Sequence, residues 1–217
     1  MNILKKIAIS TIALTSVATP MSALAANAHG GKWRNSTVNR CERIDVKQQN
    51  LINHFDFSKQ WQVNKFQRLV NRENTKGCVA NQSTFDYLND FGNFDSLAAA
   101  LTYTGLDKTL DGPGTFTTFA PTDNAFAKLP AGLVNTLLTD PSQKSALTNI
   151  LTYHVISGAS VNAATASTLT EATMVNGAKV NIKSQGGSLF INNSKVVLYD
   201  IKTTNGIIHV IDTVLVP

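Results

Sequence analysis

The 217-residue chain is poor in charged side chains, cysteine and proline. Charged residues make up 15% of the chain, compared with about 25% in typical soluble proteins, whereas 43% are hydrophobic. This composition excludes an intrinsically disordered chain, because disorder requires high charge and low hydrophobicity. The presence of only 2 cysteines and 13 glycines excludes a disulfide-dense scaffold and a collagen-like repeat. The sequence therefore predicts a packed chain.

The sequence also lacks the short motifs that accompany common catalytic sites. It contains no G-x-S-x-G nucleophile elbow, no H-E-x-x-H zinc motif, no phosphate-binding loop with a lysine and no dinucleotide-binding glycine pattern. Residues 79–217 contain no cysteine that could act as a nucleophile. We therefore predict a protein that is not an enzyme and that carries neither a cofactor nor a metal ion.

Residues 1–26 have the pattern of a secretory signal peptide. Lys5 and Lys6 precede an uncharged apolar stretch, and Ala23-Leu24-Ala25 supplies the small residues of a cleavage site. A membrane anchor is the alternative, but spanning a bilayer needs about 20 strongly apolar residues and this stretch is diluted by serine and threonine. We predict a secreted or periplasmic protein without a transmembrane segment, cleaved near Ala25. Cleavage after Ala26 would instead leave Asn27-Ala28-His29, a terminus able to bind Cu(II).

The two cysteines, Cys41 and Cys78, are predicted to form a disulfide, because export permits oxidation and offers a single pairing. Such a bridge typically stabilises a fold by about 2–4 kcal/mol. The alternatives are a metal site and a nucleophile. Zinc is disfavoured because no cluster of histidine and cysteine lies nearby in the sequence.

The formal net charge of +5 is distributed unevenly. Beyond the signal peptide, residues 27–84 carry ten basic and four acidic side chains, whereas residues 85–217 carry seven basic and ten acidic ones. We therefore divide the chain into a signal peptide (1–26), a basic N-terminal extension (27–84) and a mildly acidic domain (85–217).

Short helical patterns occur in the extension, where tryptophan and phenylalanine are interleaved with basic residues. Nucleic acid is one partner that such a segment can contact. Export argues against nucleic acid and favours either packing on the main domain or binding of anionic envelope polymers.

The domain is predicted to be α+β, with helices in its first half and antiparallel strands in its second half. Alanine-rich and apolar periodicity predicts helices at 94–106, from Pro121 onward, at 132–138 and at 143–155. Alternating or β-branched segments predict strands at 115–120, 178–182, 189–191, 196–199 and 206–216. Gly186-Gly187 is typical of a tight turn between two of these strands.

Three motifs of the domain together identify a family. They are Thr117-Thr118-Phe119-Ala120-Pro121-Thr122-Asp123-Asn124-Ala125-Phe126, Tyr153-His154 and Asn205-Gly206-Ile207-Ile208-His209-Val210-Ile211-Asp212-Thr213-Val214-Leu215. In this order they closely resemble the signatures of fasciclin domains, over roughly residues 84–217. The resemblance implies a wedge of antiparallel β-strands with several α-helices packed on one side. To this fold we expect the extension to add a small helical segment tied by the disulfide.

The resemblance also implies an exported, non-enzymatic adhesion module that contacts a cell-surface or matrix protein or glycan. In animal matrix members, adhesion is assigned to the Tyr-His region and to an Asp-Ile pair, which correspond here to Tyr153, His154, Asp200 and Ile201. Some algal members of the family bind carotenoids. A carrier of an apolar ligand, a carotenoid or a lipid, is therefore the alternative.

Six further signature residues are expected to hold the fold: Thr122, Asp123, Asn205, Gly206, His209 and Asp212. Thr122 or Asp123 can accept hydrogen bonds at a helix start, and Asn205-Gly206 is a strong turn dipeptide. His154 lies at helical spacing from Leu147 and Leu151, which places its ring on an apolar face. We therefore expect His154 and His209 to be buried groups with satisfied hydrogen bonds rather than catalytic or freely exposed side chains.

Overall fold

A computed structural model describes residues 56–57, 59–75 and 82–217, with side chains included except for residues 73–75. Residues 1–55, 58 and 76–81 lie outside the described residues. The predicted signal peptide, the predicted Cys41–Cys78 pair and the alternative Asn27-Ala28-His29 terminus therefore lie there as well.

Helices dominate the first half of the described chain. They are α1 (Gln60–Thr75), α2 (Thr84–Asp90), α3 (Asp95–Thr104), α4 (Asp107–Asp111), α5 (Asp123–Phe126), α6 (Leu133–Thr139), α7 (Lys144–Thr152) and α8 (Ala163–Ala166). A 3₁₀ turn, Pro141–Gln143, leads into α7. The four predicted helices of the domain are confirmed as α3, α5, α6 and α7, whereas α2, α4 and α8 were not predicted. Gly105 ends α3 in the left-handed conformation with φ of 85°, which glycine adopts without strain.

The strands form one seven-stranded sheet. They are β1 (Phe116–Pro121), β2 (Val155–Ser157), β3 (Glu171–Thr173), β4 (Lys179–Gln185), β5 (Ser188–Ile191), β6 (Ser194–Thr203) and β7 (Gly206–Ile211), in the spatial order β2-β1-β7-β6-β5-β4-β3. The β1–β7 pair is parallel, with Phe116 opposite Gly206 and Pro121 opposite Ile211. The sequence indicated antiparallel strands, which is correct for the other pairs of the described sheet. The parallel pair arises because the last strand inserts beside the first.

Helices and sheet enclose two hydrophobic clusters. One lies between the helices and one face of the sheet and includes Phe94, Leu101, Leu151, Leu198 and Ile208. The other lies on the opposite face, where the sheet curls so that the N–H of Val175, just after β3, donates to the Val155 carbonyl of β2. The predicted central position of β7 is confirmed, since its residues from Ile207 onward are buried on both faces.

The helical pattern in the second half of the extension is confirmed by α1. Its apolar side chains Val63, Phe66 and Val70 are buried in the cluster beneath the helices, and the Phe66 ring lies 5.7 Å from that of Phe91. The Gln67 side chain bonds both backbone groups of Tyr199 in β6, at 2.9 and 3.0 Å. Helix α1 is therefore packed against the sheet. Within the described residues, none of the helices combines the length and hydrophobicity that crossing a bilayer requires.

Candidate functional site

His154 is buried directly after α7, in the turn that leads into β2. The predicted helix extended to residue 155, but α7 ends at Thr152 because the chain turns there to begin the strand. The imidazole is only 2% exposed. Its Nδ1 lies 2.8 Å from the Ile150 carbonyl oxygen, and its Nε2 lies 2.9 Å from the Leu215 backbone nitrogen. Since Nδ1 faces an acceptor and Nε2 faces a donor, the neutral ring carries its proton on Nδ1.

Burial sets the protonation state of His154. Desolvation lowers its pKa to about 4, and the hydrogen bond to the Ile150 carbonyl opposes this shift only in part. Protonation would add a hydrogen to Nε2, directly against the Leu215 N–H. The expectation of a buried, neutral and hydrogen-bonded histidine is thus confirmed, and this ring connects α7 to the C-terminal segment after β7.

His209 lies in the middle of β7 and is fully buried. Its Nε2 donates to the Val161 carbonyl at 2.8 Å, while its Nδ1 accepts from the Asp200 N–H at 3.4 Å. The ring stacks on that of Phe119, with centroids 5.6 Å apart. Desolvation lowers the pKa of His209, opposed by the Val161 carbonyl and by the charge of Asp200. His209 is therefore buried and hydrogen-bonded, as expected, and its structural role stays a prediction.

Acid is expected to destabilise the domain through these two histidines. Because their folded pKa values lie below the unfolded value of about 6.5, the unfolded chain binds more protons between the two values. The stability that both contribute is therefore complete above a pH of about 6.5 and is lost as the pH falls, and for His154 the loss continues down to a pH of about 4. For His154 alone the loss is about 3 kcal/mol. Urea denaturation across this range measures it, and an unchanged free energy of unfolding would contradict the assignment.

The other residues to which the resemblance assigns adhesion are also largely internal. Tyr153 is 5% exposed, and its hydroxyl donates to the Lys179 carbonyl and accepts from the Asn192 side chain. Ile201 is 4% exposed. Asp200 is half-buried at a positive φ of 60°, and its carboxylate accepts from the Ala163 N–H at the start of α8. The structure thus holds these side chains by internal contacts, and their assignment to adhesion stays a prediction.

Residues of the first signature (117–126) cap the N-termini of two helices, α5 and α3. The Thr122 hydroxyl accepts from the Ala125 N–H and caps α5, as expected. The Asp123 carboxylate reaches across to α3, where it accepts from the backbone nitrogens of Ser96 at 2.8 Å and Asp95 at 3.3 Å. Helix α3 has no side-chain cap of its own, so Asp123 supplies one from a distant part of the sequence.

The third signature begins with a side chain that connects three elements. The Asn205 Oδ1 accepts from the Thr84 N–H at the start of α2, and its Nδ2 donates to the carbonyls of Leu110 and Gly112 at the end of α4. Its backbone carbonyl accepts from the Phe116 N–H of β1. Asn205 therefore does more than form the predicted turn, because it fixes the loops at one end of the sheet.

Gly206 and Asp212 bound the last strand. A Cβ at Gly206 would lie 2.2 Å from the Phe116 carbonyl oxygen, so only glycine permits this approach of β1. The Asp212 carboxylate accepts from the Lys195 N–H, and its backbone N–H donates to the Lys195 carbonyl. Asp212 thereby ends β7 at Ile211, earlier than the predicted end at residue 216. Asp123 and Asp212 hold separate parts of the backbone: the Asp123 carboxylate caps the start of α3, and the Asp212 carboxylate accepts from the Lys195 N–H at the end of β7.

The signature residues thus build a hydrogen-bonded frame around β1 and β7. Among the residues that the structure describes, no group of three or more His, Cys, Asp or Glu side chains is arranged to hold a metal ion. The arrangement fixes loops and helix ends, and each polar group named above has its partner inside the fold.

Two concave surfaces were not recognised in the sequence. One is a small apolar cleft of about 110 Å³ between α3, α6, α7 and the C-terminal segment, lined by residues that include Leu133, Leu137, Ile150 and Val216. The other is a groove of about 620 Å³ between α1 and the strands β4 to β6, lined by both polar and apolar side chains. The second has a sequence signal, because amide side chains recur in α1 at helical spacing. Neither could be located without knowing how the helices pack.

Comparison with known proteins shows which family the three sequence motifs belong to. Residues 92–217 match the family model described as Fasciclin domain. The uncharacterized protein sll1735 of Synechocystis sp. is 43% identical over 122 residues, which cover 56% of this chain and 88% of that protein. Transforming growth factor-beta-induced protein ig-h3 of Sus scrofa is 36% identical over 135 residues, which cover 62% of this chain and 19% of that protein.

A solved structure shows the same fold. It is a FAS1 domain pair from the insect cell adhesion molecule Fasciclin I, which matches with a TM-score of 0.57 and 18% sequence identity. The match covers 65% of this chain and 52% of that chain. The chain therefore corresponds to about half of that domain pair.

Proposed function

Because this chain belongs to the fasciclin domain family, we propose that it is an exported, non-enzymatic adhesion module that contacts proteins or glycans of a cell surface or matrix. The observation that carries the proposal is the family match over residues 92–217. The engagement of the signature histidines and carboxylates in internal hydrogen bonds supports it, because these groups serve the fold.

We propose that Tyr153, His154, Asp200 and Ile201 support adhesion indirectly. Their side chains are largely enclosed, so a partner that docks on the surface meets the backbone and loops that they position. Tyr153 fixes β4 through the Lys179 carbonyl, and Asp200 fixes the start of α8 through the Ala163 N–H. A substitution of one of these residues is therefore expected to weaken partner binding by changing the shape of the surface, without removing a direct contact.

Adhesion is expected to survive Tyr153→Phe at temperatures where the variant is folded. The substitution removes the hydroxyl and its two hydrogen bonds, which costs about 1–3 kcal/mol of stability. Beads coated with the chain or the variant are exposed to envelope fragments, and retention is measured beside thermal unfolding. Loss of retention by a fully folded variant would show that the hydroxyl contacts the partner directly. Failure of the unsubstituted chain to retain any fragment would contradict the adhesion proposal itself.

Export is proposed from the N-terminal pattern of residues 1–26, with cleavage near Ala25. Oxidation of Cys41 and Cys78 to a disulfide follows from export. The intact mass of the protein recovered from outside the cytoplasm tests both, because it gives the cleavage position and the number of free thiols. An uncleaved chain or two free thiols would contradict the respective proposal.

Anionic envelope polymers are proposed as a further contact of the extension. In α1, Trp61, Lys65, Arg68 and Arg72 follow one another at helical spacing, and Trp61 is 63% exposed. This exposed basic stripe is suited to a polyanion, and its binding is expected to weaken with salt. Binding of a polyanion that stays unchanged between low and high salt would reject this contact.

The second candidate function is a carrier of a carotenoid or lipid, for which the apolar cleft beside His154 offers room for one ring-sized end of the ligand. Its lining is nearly free of polar groups. Its volume is similar to that of engineered apolar cavities, about 150 Å³, that admit a benzene-sized molecule. Protein purified from its host is expected to bring a ligand detectable by absorbance or mass spectrometry if it is a carrier. Recovery of empty protein would leave adhesion as the function.

A further inference from the structure

The larger of these two concave surfaces is the groove where α1 faces the sheet, and Leu189, Val196 and Val197 give it an apolar part. On the helix side it is lined by four amide side chains, Gln60, Asn64, Gln67 and Asn71. On the sheet side it is lined by Ser184 of β4, Ser188 of β5 and Tyr199 of β6. We call this surface the amide groove. Its volume of about 620 Å³ falls within the range of about 300–1,000 Å³ that is usual for ligand sites.

The four amides form a regular stripe along one side of α1. Their spacing of i, i+4, i+7 and i+11 places them on a single face of the helix. Val63 lines the groove beside the amides, the buried residues Phe66 and Val70 lie on a different face, and the basic residues Lys65 and Arg68 lie on a third. The helix therefore presents an uncharged hydrogen-bonding wall to the groove and keeps its cations outside it.

Hydrogen bonds hold this wall in place. The Gln67 side chain bonds the backbone N–H and carbonyl of Tyr199, so α1 is fixed to β6 at the floor of the groove. Gln60 donates to Asn64 at 3.0 Å, and Gln67 donates to Asn71 at 2.9 Å. A site whose side chains are fixed before the ligand arrives loses less entropy on binding.

Several groups in the groove are available to a ligand. The hydroxyls of Ser184, Ser188 and Tyr199 form no hydrogen bond with any residue that the structure describes. The Asn64 Oδ1 accepts from Gln60, which leaves its amide N–H groups directed to a ligand or water. Hydroxyls both donate and accept, and amides offer donors and acceptors side by side without charge. The half-buried Tyr199 ring adds an apolar surface.

This combination matches a ligand with many neutral hydroxyl groups and small apolar faces. Lys195 and Asp200 bring one charge of each sign to the groove, and the Asp200 carboxylate already accepts from the Ala163 N–H. Neither a polyanion nor a polycation finds complementary charge there. We propose that the amide groove binds a segment of a neutral oligosaccharide. This inference rests on the proposed adhesion role, for which it supplies the glycan contact.

Isothermal titration of the full chain with cellohexaose, maltohexaose and N-acetylchitohexaose tests the proposal. We expect at least one hexaose to bind, with an affinity that salt leaves unchanged because the ligand is neutral. The double variant Asn64→Ala with Ser188→Ala is expected to lose about tenfold in affinity, since two hydrogen bonds to the ligand are removed. Ser145→Ala is the matched control, because Ser145 is an exposed residue of α7 outside the groove, and it should change the affinity less than about twofold.

Three results would overturn the proposal. The first is that the folded chain binds none of the three hexaoses. The second is that the control variant loses as much affinity as the double variant. The third is that the double variant binds a hexaose as tightly as the unsubstituted chain does. Failure of the groove is distinguishable from failure of the adhesion role. If envelope fragments are still retained by beads coated with the double variant while the chain binds no hexaose, the groove proposal fails and adhesion stands. If a hexaose binds but no fragment is retained, adhesion fails.

Discussion

Replacing Gly206 with alanine is expected to destabilise the domain by about 3 kcal/mol or more. The new Cβ would lie 2.2 Å from the Phe116 carbonyl oxygen and 3.0 Å from its carbonyl carbon. These are backbone atoms of β1, which lies between β2 and β7 and is buried along its whole length. Relief of the clash therefore requires the parallel β1–β7 pair to separate. Urea denaturation measures the loss, and a variant too unstable to fold fulfils the same expectation.

Gly187→Ala is the matched control for this prediction. Gly187 lies in the turn between β4 and β5 at a φ of 73°, and a Cβ there would meet no atom within 4 Å. Its substitution should cost about 1 kcal/mol, which reflects backbone conformation without a collision. Equal losses in the two variants would show that close packing of β1 on Gly206 has no special importance.

His154→Ala is expected to lower the free energy of unfolding by about 3–5 kcal/mol. The substitution leaves a cavity where the ring was, and it removes the partners of the Ile150 carbonyl and the Leu215 N–H. It also frees the C-terminal segment from α7. An unchanged thermal midpoint would contradict this role of the ring.

His154→Phe separates the two causes, because it retains an aromatic ring and lacks both nitrogens. We expect an intermediate loss of stability, since the cavity is filled while two buried backbone groups stay without partners. The variant should also lose the acid sensitivity that His154 contributes. A loss equal to that of alanine would assign the whole effect to the hydrogen bonds.

Elements with a local cause were predictable from the sequence. The end of α3 at Gly105, the start of α5 at Thr122 and the turn at Gly186-Gly187 each depend on the conformational preference of one or two residues. The alternation that predicted β4 and the apolar run that predicted β7 reflect burial on one or both faces. The arrangement of these elements in three dimensions was predicted from the family resemblance.

The features that the sequence did not predict depend on contacts between distant parts of the chain. Nothing near Asp95 shows that Asp123 caps α3, and nothing near His154 shows that its Nε2 receives the Leu215 N–H. The parallel pairing of β1 and β7 is likewise set by the packing of the whole sheet. The burial of His154 was predictable from helical spacing, whereas the amide groove requires the docking of α1, a helix outside the segment that matches the family.

The position of β7 in the sheet constrains how the protein can be made. Gly206–Ile211 is the last strand in the chain, yet it lies between β1 and β6. While the polypeptide is still being synthesised or threaded through a membrane, both of these strands carry an open edge of unpaired backbone groups. A product that stops before residue 206 cannot close either edge, and exposed edges of this kind promote aggregation. Folding of this domain is therefore completed only after its last strand has been synthesised, and a shortened product is expected to be degraded instead of retaining partial activity.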